Sequence, residues 1–146
     1  MKTFFLKKAE QLKKKINNNN ILYMSANSNM DYKKYHFNDD QILEKVLSKF
    51  DDKRYAGYNF IIRKHSSEKK SKYIKFLKKK LQFLSIKFDK KKKLTNSINN
   101  SRLVVGFDTY GLVVAKKMGR ISINIKLNEN YENIIPSKFT SKKIIL

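Results

Sequence analysis

The chain alternates short apolar runs with amphipathic stretches. Ile21 to Ser25 is a compact apolar run of strand type, followed by a polar stretch, Ala26 to Asn38, too long for a tight turn. Ile42, Leu43, Val46, Leu47 and Phe50 then recur at helical spacing, and Asn38 with Gln41 three residues on reads as a capping box, so a helix is predicted over 39–50. Tyr58 to Arg63, centred on Phe60, Ile61 and Ile62, is the second strand. Beyond it, Ser66 or Ser67 is placed to cap a helix with Tyr73, Phe76, Leu77, Leu81 and Leu84 on one face. Lys69, Lys72, Lys75 and Lys79 fall on its solvated face. Ser85 to Phe88 reads as a third strand and Thr95 to Asn99 as a weak helical turn. Leu103 to Phe107 is nearly continuous apolar sequence, as expected at the buried centre of a parallel sheet. A helix from Tyr110 to Met118, Gly119 just past its end, and alternating Ile121, Ile123 and Ile125 complete the pattern.

Strand and helix alternate throughout, with connections too long for hairpins. This predicts an α/β chain: one Rossmann-like parallel sheet flanked by helices, in a single domain. Residues 1–20 carry a short amphipathic pattern (Phe4, Phe5, Ala9, Leu12, Ile16) that runs into Lys13-Lys14-Lys15 and the asparagines 17–20. They read as an N-terminal helix and linker, leaving 21–146 as the domain. The tail holds Pro136 and ends in Ile144-Ile145-Leu146, an apolar terminus with no obvious partner.

At 146 residues the chain is long enough for one real core and too short for two. No apolar run approaches a membrane span, and Lys7 and Lys8 interrupt the N-terminal cluster, so a cytoplasmic location is expected, with peripheral contact to the inner membrane left open. The absence of cysteine excludes disulfides and thiolate chemistry. A formal net charge of +22 raises the prospect of a nucleic-acid partner. Yet only Arg54, Arg63, Arg102 and Arg120 among the 34 basic residues are arginine, and arginine supplies the bidentate and stacking contacts such a partner uses. Composition alone accounts for much of the charge. A basic surface facing nucleic acid or anionic lipid remains the alternative, with lipid the better match.

Candidate chemistry lies where an open parallel sheet binds ligands, outside the carboxyl ends of the strands where strand order reverses. With the order third, second, first, fourth, fifth, that crevice falls between the loop after Met24 and the loop after Phe107. Asp108-Thr109 ends a buried strand and turns directly into a helix beginning at Tyr110. Its backbone N–H groups and the Thr109 hydroxyl suit a phosphate, while Asp108 or Thr109 could equally serve only as the helix cap. His65 ends the second strand on the same rim, where it could donate to a phosphate oxygen. His36 lies in the long polar loop. No metal-spaced His and carboxylate set and no glycine-rich phosphate cradle is present.

The stretch Arg102 to Ile125 resembles a segment of bacterial surface-carbohydrate biosynthesis proteins of the GT-B fold, among them capsule sialyltransferase-like and glycerophosphotransferase-like members. Asp108, Thr109, Ala115 and Gly119 take the places of that group's strand-end motif and following helix. The run Phe60 to Ser66 is similar to the group's strand ending in a histidine that contacts donor phosphate. Here Ser66 replaces a usual proline, Asp108-Thr109 replaces paired hydroxyls, and the helix glutamate is Val113 or Val114. The resemblance implies a nucleotide-sugar donor held by His65, Asp108, Thr109 and Tyr110, with no further cofactor and no metal. It also implies that the acceptor domain is a missing N-terminal half or a partner chain, so that this chain alone is an inactive fragment or donor half. An inert remnant and a basic binding protein without activity stay open.

Overall fold

The computed structural model describes residues 18–25 and 38–146, so the amphipathic stretch Phe4 to Ile16, the loop 26–37 and His36 within it lie outside the described residues. Six strands form one sheet: β1 (Asn20–Met24), β2 (Asn59–Arg63), β3 (Ser85–Phe88), β4 (Leu103–Gly106), β5 (Ile121–Lys126) and β6 (Lys142–Ile145). Their spatial order is β3-β2-β1-β4-β5-β6, and every neighbouring pair is parallel. The helices described are α1 (Asp39–Phe50), α2 (Ile74–Leu77), α3 (Leu94–Asn99) and α4 (Gly111–Lys117).

The period-2 geometry of β1 sends its side chains to two cores. Ile21 and Tyr23 join α1, Phe60, Tyr73 and Phe76 on one face, whereas Leu22 and Met24 meet Ile98 of α3 and Leu112, Val114 and Ala115 of α4 on the other. The helices that follow β1 and β2 therefore cover one face and those that follow β3 and β4 the other, the doubly wound arrangement that parallel crossovers produce.

Helix α1 starts as its sequence predicts. Asn38 Oδ1 accepts from Gln41 N (2.9 Å), and Gln41 Oε1 accepts from Asn38 N (3.0 Å). Ile42, Leu43, Val46, Leu47 and Phe50 are all buried. Asn38→Ala removes one half of this box and is expected to lower stability by about 1 kcal/mol, read as a shift of the urea midpoint at unchanged slope.

Two expectations are corrected. The long helix after β2 is instead a 3-10 turn at Lys70–Tyr73 followed by the single turn α2. Neither Ser66 nor Ser67 caps it, because Ser67 turns back to the His65 ring. Farther on, the Asp51 carboxylate accepts the N–H groups of Gln82, Phe83 and Leu84 (3.1, 2.7 and 3.3 Å) and draws that backbone into the entry to β3. Tyr73, Phe76 and Leu84 are still buried but Leu77 is exposed, so the apolar spacing reported burial in part and overstated helix length. Lys69, Lys75 and Lys79 are exposed as expected, and three lysines of that face also pair with α1: Lys72 with Asp39 (2.6 Å), Lys75 with Asp40, and Lys79 with Glu44 (3.7 Å). The C-terminus is the second correction. It has a partner, because β6 extends the sheet with Ile144 opposite Ile125, and Ile144 and Leu146 pack against the core.

Candidate functional site

Strand order reverses at β1. Met24 lies between Arg63 of β2 and Gly106 of β4, and the chains leaving those neighbours go to opposite faces of the sheet. His65 and Thr109 thus follow strands that finish at the same, carboxyl end of the sheet, with β2 and β4 about 10 Å apart on either side of β1, or two inter-strand spacings. This rim is the crevice where open parallel sheets take ligands.

Glycine makes the β4–α4 side of the rim tight. A Cβ at Gly111 would lie 2.6 Å from Met24 Sδ and 3.2 Å from Leu94 Cδ2, so the first turn of α4 rests directly on the end of β1. A Cβ at Gly106 would lie 2.7 Å from the Thr109 methyl. Between these glycines Asp108 adopts φ 44°, the left-handed conformation that aspartate and asparagine tolerate better than most residues.

Asp108 does not cap α4. The residue before α4 is Tyr110, half exposed, and no side chain caps this end. The Asp108 carboxylate instead collects donors from the chain that follows: Asn124 Nδ2 (2.9 Å), Tyr131 Oη (3.1 Å), Asn133 Nδ2 (3.1 Å) and the Ile135 amide (3.2 Å). The Asp108 amide donates in turn to Asn124 Oδ1 (2.8 Å). Fully buried Asn124, in the middle of β5, therefore grips Asp108 by both backbone and side chain. Thr109 is left half-buried on the rim, and its hydroxyl bonds to no described residue.

On the β2 side, Ser67 N–H donates to His65 Nδ1 (3.2 Å), and the Ser67 hydroxyl lies 2.7 Å from the same nitrogen. With Nδ1 accepting, the neutral ring carries its proton on Nε2, a donor for an anion on the rim. Behind it, the Glu68 carboxylate accepts from His65 N (2.9 Å), Lys72 Nζ (2.7 Å) and Tyr73 Oη (2.6 Å), while Tyr73 Oη also shares a hydrogen bond with Ser25 at the end of β1. Burial pushes the Glu68 carboxyl up, but the hydrogen bonds from Lys72, Tyr73 and Ser25 outweigh it and hold the group below the usual glutamate range. Burial and the Glu68 hydrogen bond together push the Tyr73 phenol well above its ordinary value. This knot ties β1, the β2 exit and α1 into one wall of the crevice.

Sequence reasoning found His65 and Thr109 on this rim and missed Asn124, Glu68, Tyr73 and Tyr131, which hold it in shape. A lone asparagine inside the apolar run of β5 was the available signal. The first turn of α1, where dinucleotide-binding folds usually seat phosphate, carries Asp39 and Asp40 and is ill suited to an anion. Among the described residues no cluster of three or more His, Asp or Glu side chains could hold a metal ion, and no helix is long and apolar enough to cross a membrane. Comparison with protein-family models, curated proteins and solved structures finds no match for the chain.

Proposed function

We propose that the chain is the donor-binding half of a glycosyltransferase-like protein of surface-polysaccharide synthesis, taking a nucleotide sugar in the crevice between β1 and β4. The observation that carries this reading is the reversal of strand order at β1, with His65 and Thr109 flanking it at the carboxyl end of the sheet. The likeness of Arg102–Ile125 to surface-carbohydrate enzymes narrows the ligand from a nucleotide to a nucleotide sugar. In this reading the Thr109 hydroxyl and the His65 Nε2–H donate to donor phosphate, Tyr110 borders the same turn, and Asp108 holds the turn in place without touching the ligand.

Transfer also needs a base within reach of an acceptor hydroxyl. Among the described residues the rim carboxylates Asp108 and Glu68 are both occupied by internal donors, and in this reading the base is supplied by an acceptor domain or a partner chain. Calorimetric titration of the purified chain with CMP-, UDP- and GDP-activated sugars is expected to give weak binding of one class and no multiple turnover with simple glycan acceptors. Thr109→Ala should weaken that binding roughly fivefold, the worth of one ordinary hydrogen bond. Absence of binding to all three classes, or identical affinity in Thr109→Ala, would overturn the assignment. Sustained product formation by the chain alone would overturn the half-enzyme reading.

A further inference from the structure

The β3 edge of the sheet is built unlike the rest. The crossover from β3 to β4 contains only the short helix α3, which covers Leu22 and leaves the strip over β2 and β3 open. A groove of about 590 Å³ remains there, with Leu22, Ile61, Ile86 and Phe88 among its apolar residues and Leu77 of α2 at its border. Leu77 is 37% exposed and Ile74, one turn earlier on the same helix, is 44% exposed.

Lysines surround this apolar strip. Lys70, Lys87, Lys90 and Lys91 line the groove, and Lys78, Lys80, Lys92 and Lys93 are exposed beside it. Their charges are uncompensated among the described residues, whereas Lys72, Lys75 and Lys79 point to the acids of α1. The carboxylate on this edge, Asp89, is consumed by Arg63 (2.8 Å) and Ser97. The Lys70 ammonium lies 5.0 Å from the centroid of the Phe88 ring and covers one of its faces. Exposed aliphatic side chains among lysines without carboxylate partners, with the nearby Arg63 guanidinium held by Asp89 and the carbonyls of Lys91 and Lys92, match the chemistry of an anionic bilayer surface. Apolar groups enter the headgroup boundary and ammonium groups meet lipid phosphate. A second copy of this +22 chain would meet like charge.

We infer that the β3–α2 edge is a peripheral docking surface for an anionic lipid bilayer, with Leu77 and Ile74 inserted and the Lys90–Lys93 run against the headgroups. This surface adjoins the carboxyl rim, where Arg63 at the end of β2 donates to the carbonyls of Lys91 and Lys92 (2.9 and 3.0 Å), but its reading does not depend on that of the crevice. The test is sedimentation of the full chain with vesicles of phosphatidylglycerol mixed into phosphatidylcholine, against phosphatidylcholine alone. Binding is expected only to the anionic vesicles. Lys90→Gln/Lys91→Gln should weaken it roughly 30-fold, the combined effect of two lysines at a charged membrane surface. Leu77→Asn should weaken it severalfold at unchanged melting temperature, which separates insertion from generic charge attraction. The matched pair Lys142→Gln/Lys143→Gln, on the opposite edge of the sheet, should leave binding within about twofold of the parent. Equal losses from the two lysine pairs, no effect of Leu77→Asn, or no binding to anionic vesicles would overturn the surface. Tight RNA binding that is lost in the Lys90/Lys91 variant, without vesicle binding, would reassign the edge to nucleic acid.

Discussion

Asp108→Ala is expected to lower the free energy of unfolding by about 4 kcal/mol, one of the two largest single-site effects anticipated. Removal of the carboxylate leaves Asn124 Nδ2, Tyr131 Oη, Asn133 Nδ2 and the Ile135 amide without their shared acceptor, and several of these groups are partly or fully buried. Alanine also has to adopt φ 44°, which adds about 1 kcal/mol of backbone strain. Asp108→Asn separates the two contributions. Asparagine tolerates the left-handed conformation and can keep the oxygen that Asn124, Asn133 and Ile135 share, losing only the one that accepts from Tyr131, so about a quarter of the loss should persist. Equilibrium denaturation of both variants measures this. Equal stability of wild type and Asp108→Ala would show that water replaces the carboxylate and that the knot is not structural.

The second large effect concerns Glu68. Glu68→Ala leaves the His65 amide without an acceptor, reduces Tyr73 Oη to its hydrogen bond with Ser25 and removes one of the two carboxylates on Lys72, for an expected loss of about 3 kcal/mol near neutral pH. The pH dependence is the sharper test. Because the folded carboxyl titrates below the usual glutamate range, its contribution is complete above the unfolded pKa and disappears as pH falls through the depressed folded value. The stability difference between wild type and Glu68→Gln should therefore be flat around neutrality and shrink toward zero in acid. A difference that stays constant through the acid range would mean that shape, not charge, holds the knot.

Local pattern located much of this architecture. The strands β1 to β5 follow from apolar runs spaced by crossovers, the order supposed for them around β1 is the one found, and α1 is written in its own capping box and periodicity. What was hidden depends on distant partners. Asp51 shortens the helix after β2 through contacts with Gln82, Phe83 and Leu84, which no local window contains. The strand β6 is four residues with two lysines, and only the waiting edge of β5 makes it a strand. At the crevice, His65 and Thr109 were legible because strand ends are legible. The role of Asp108 stayed open between phosphate and helix cap because its partners, Asn124, Tyr131 and Asn133, lie in and beyond the following strand.

The central pairing of β1 with β4 has a kinetic consequence. Ile21 sits beside Leu103, so the middle of the sheet closes only across most of the chain. A ribosome that has released β1, β2 and β3 has exposed everything needed for one half of the sheet and nothing that can cover Leu22 and Met24 on the other face. Parallel pairings of such long sequence separation form late, since the loop must close before any contact rewards it. The nascent chain thus passes through a stage with a bare apolar strand edge and no crevice. The crevice appears late, once β4 docks beside β1 and Asp108 meets Asn124 of β5.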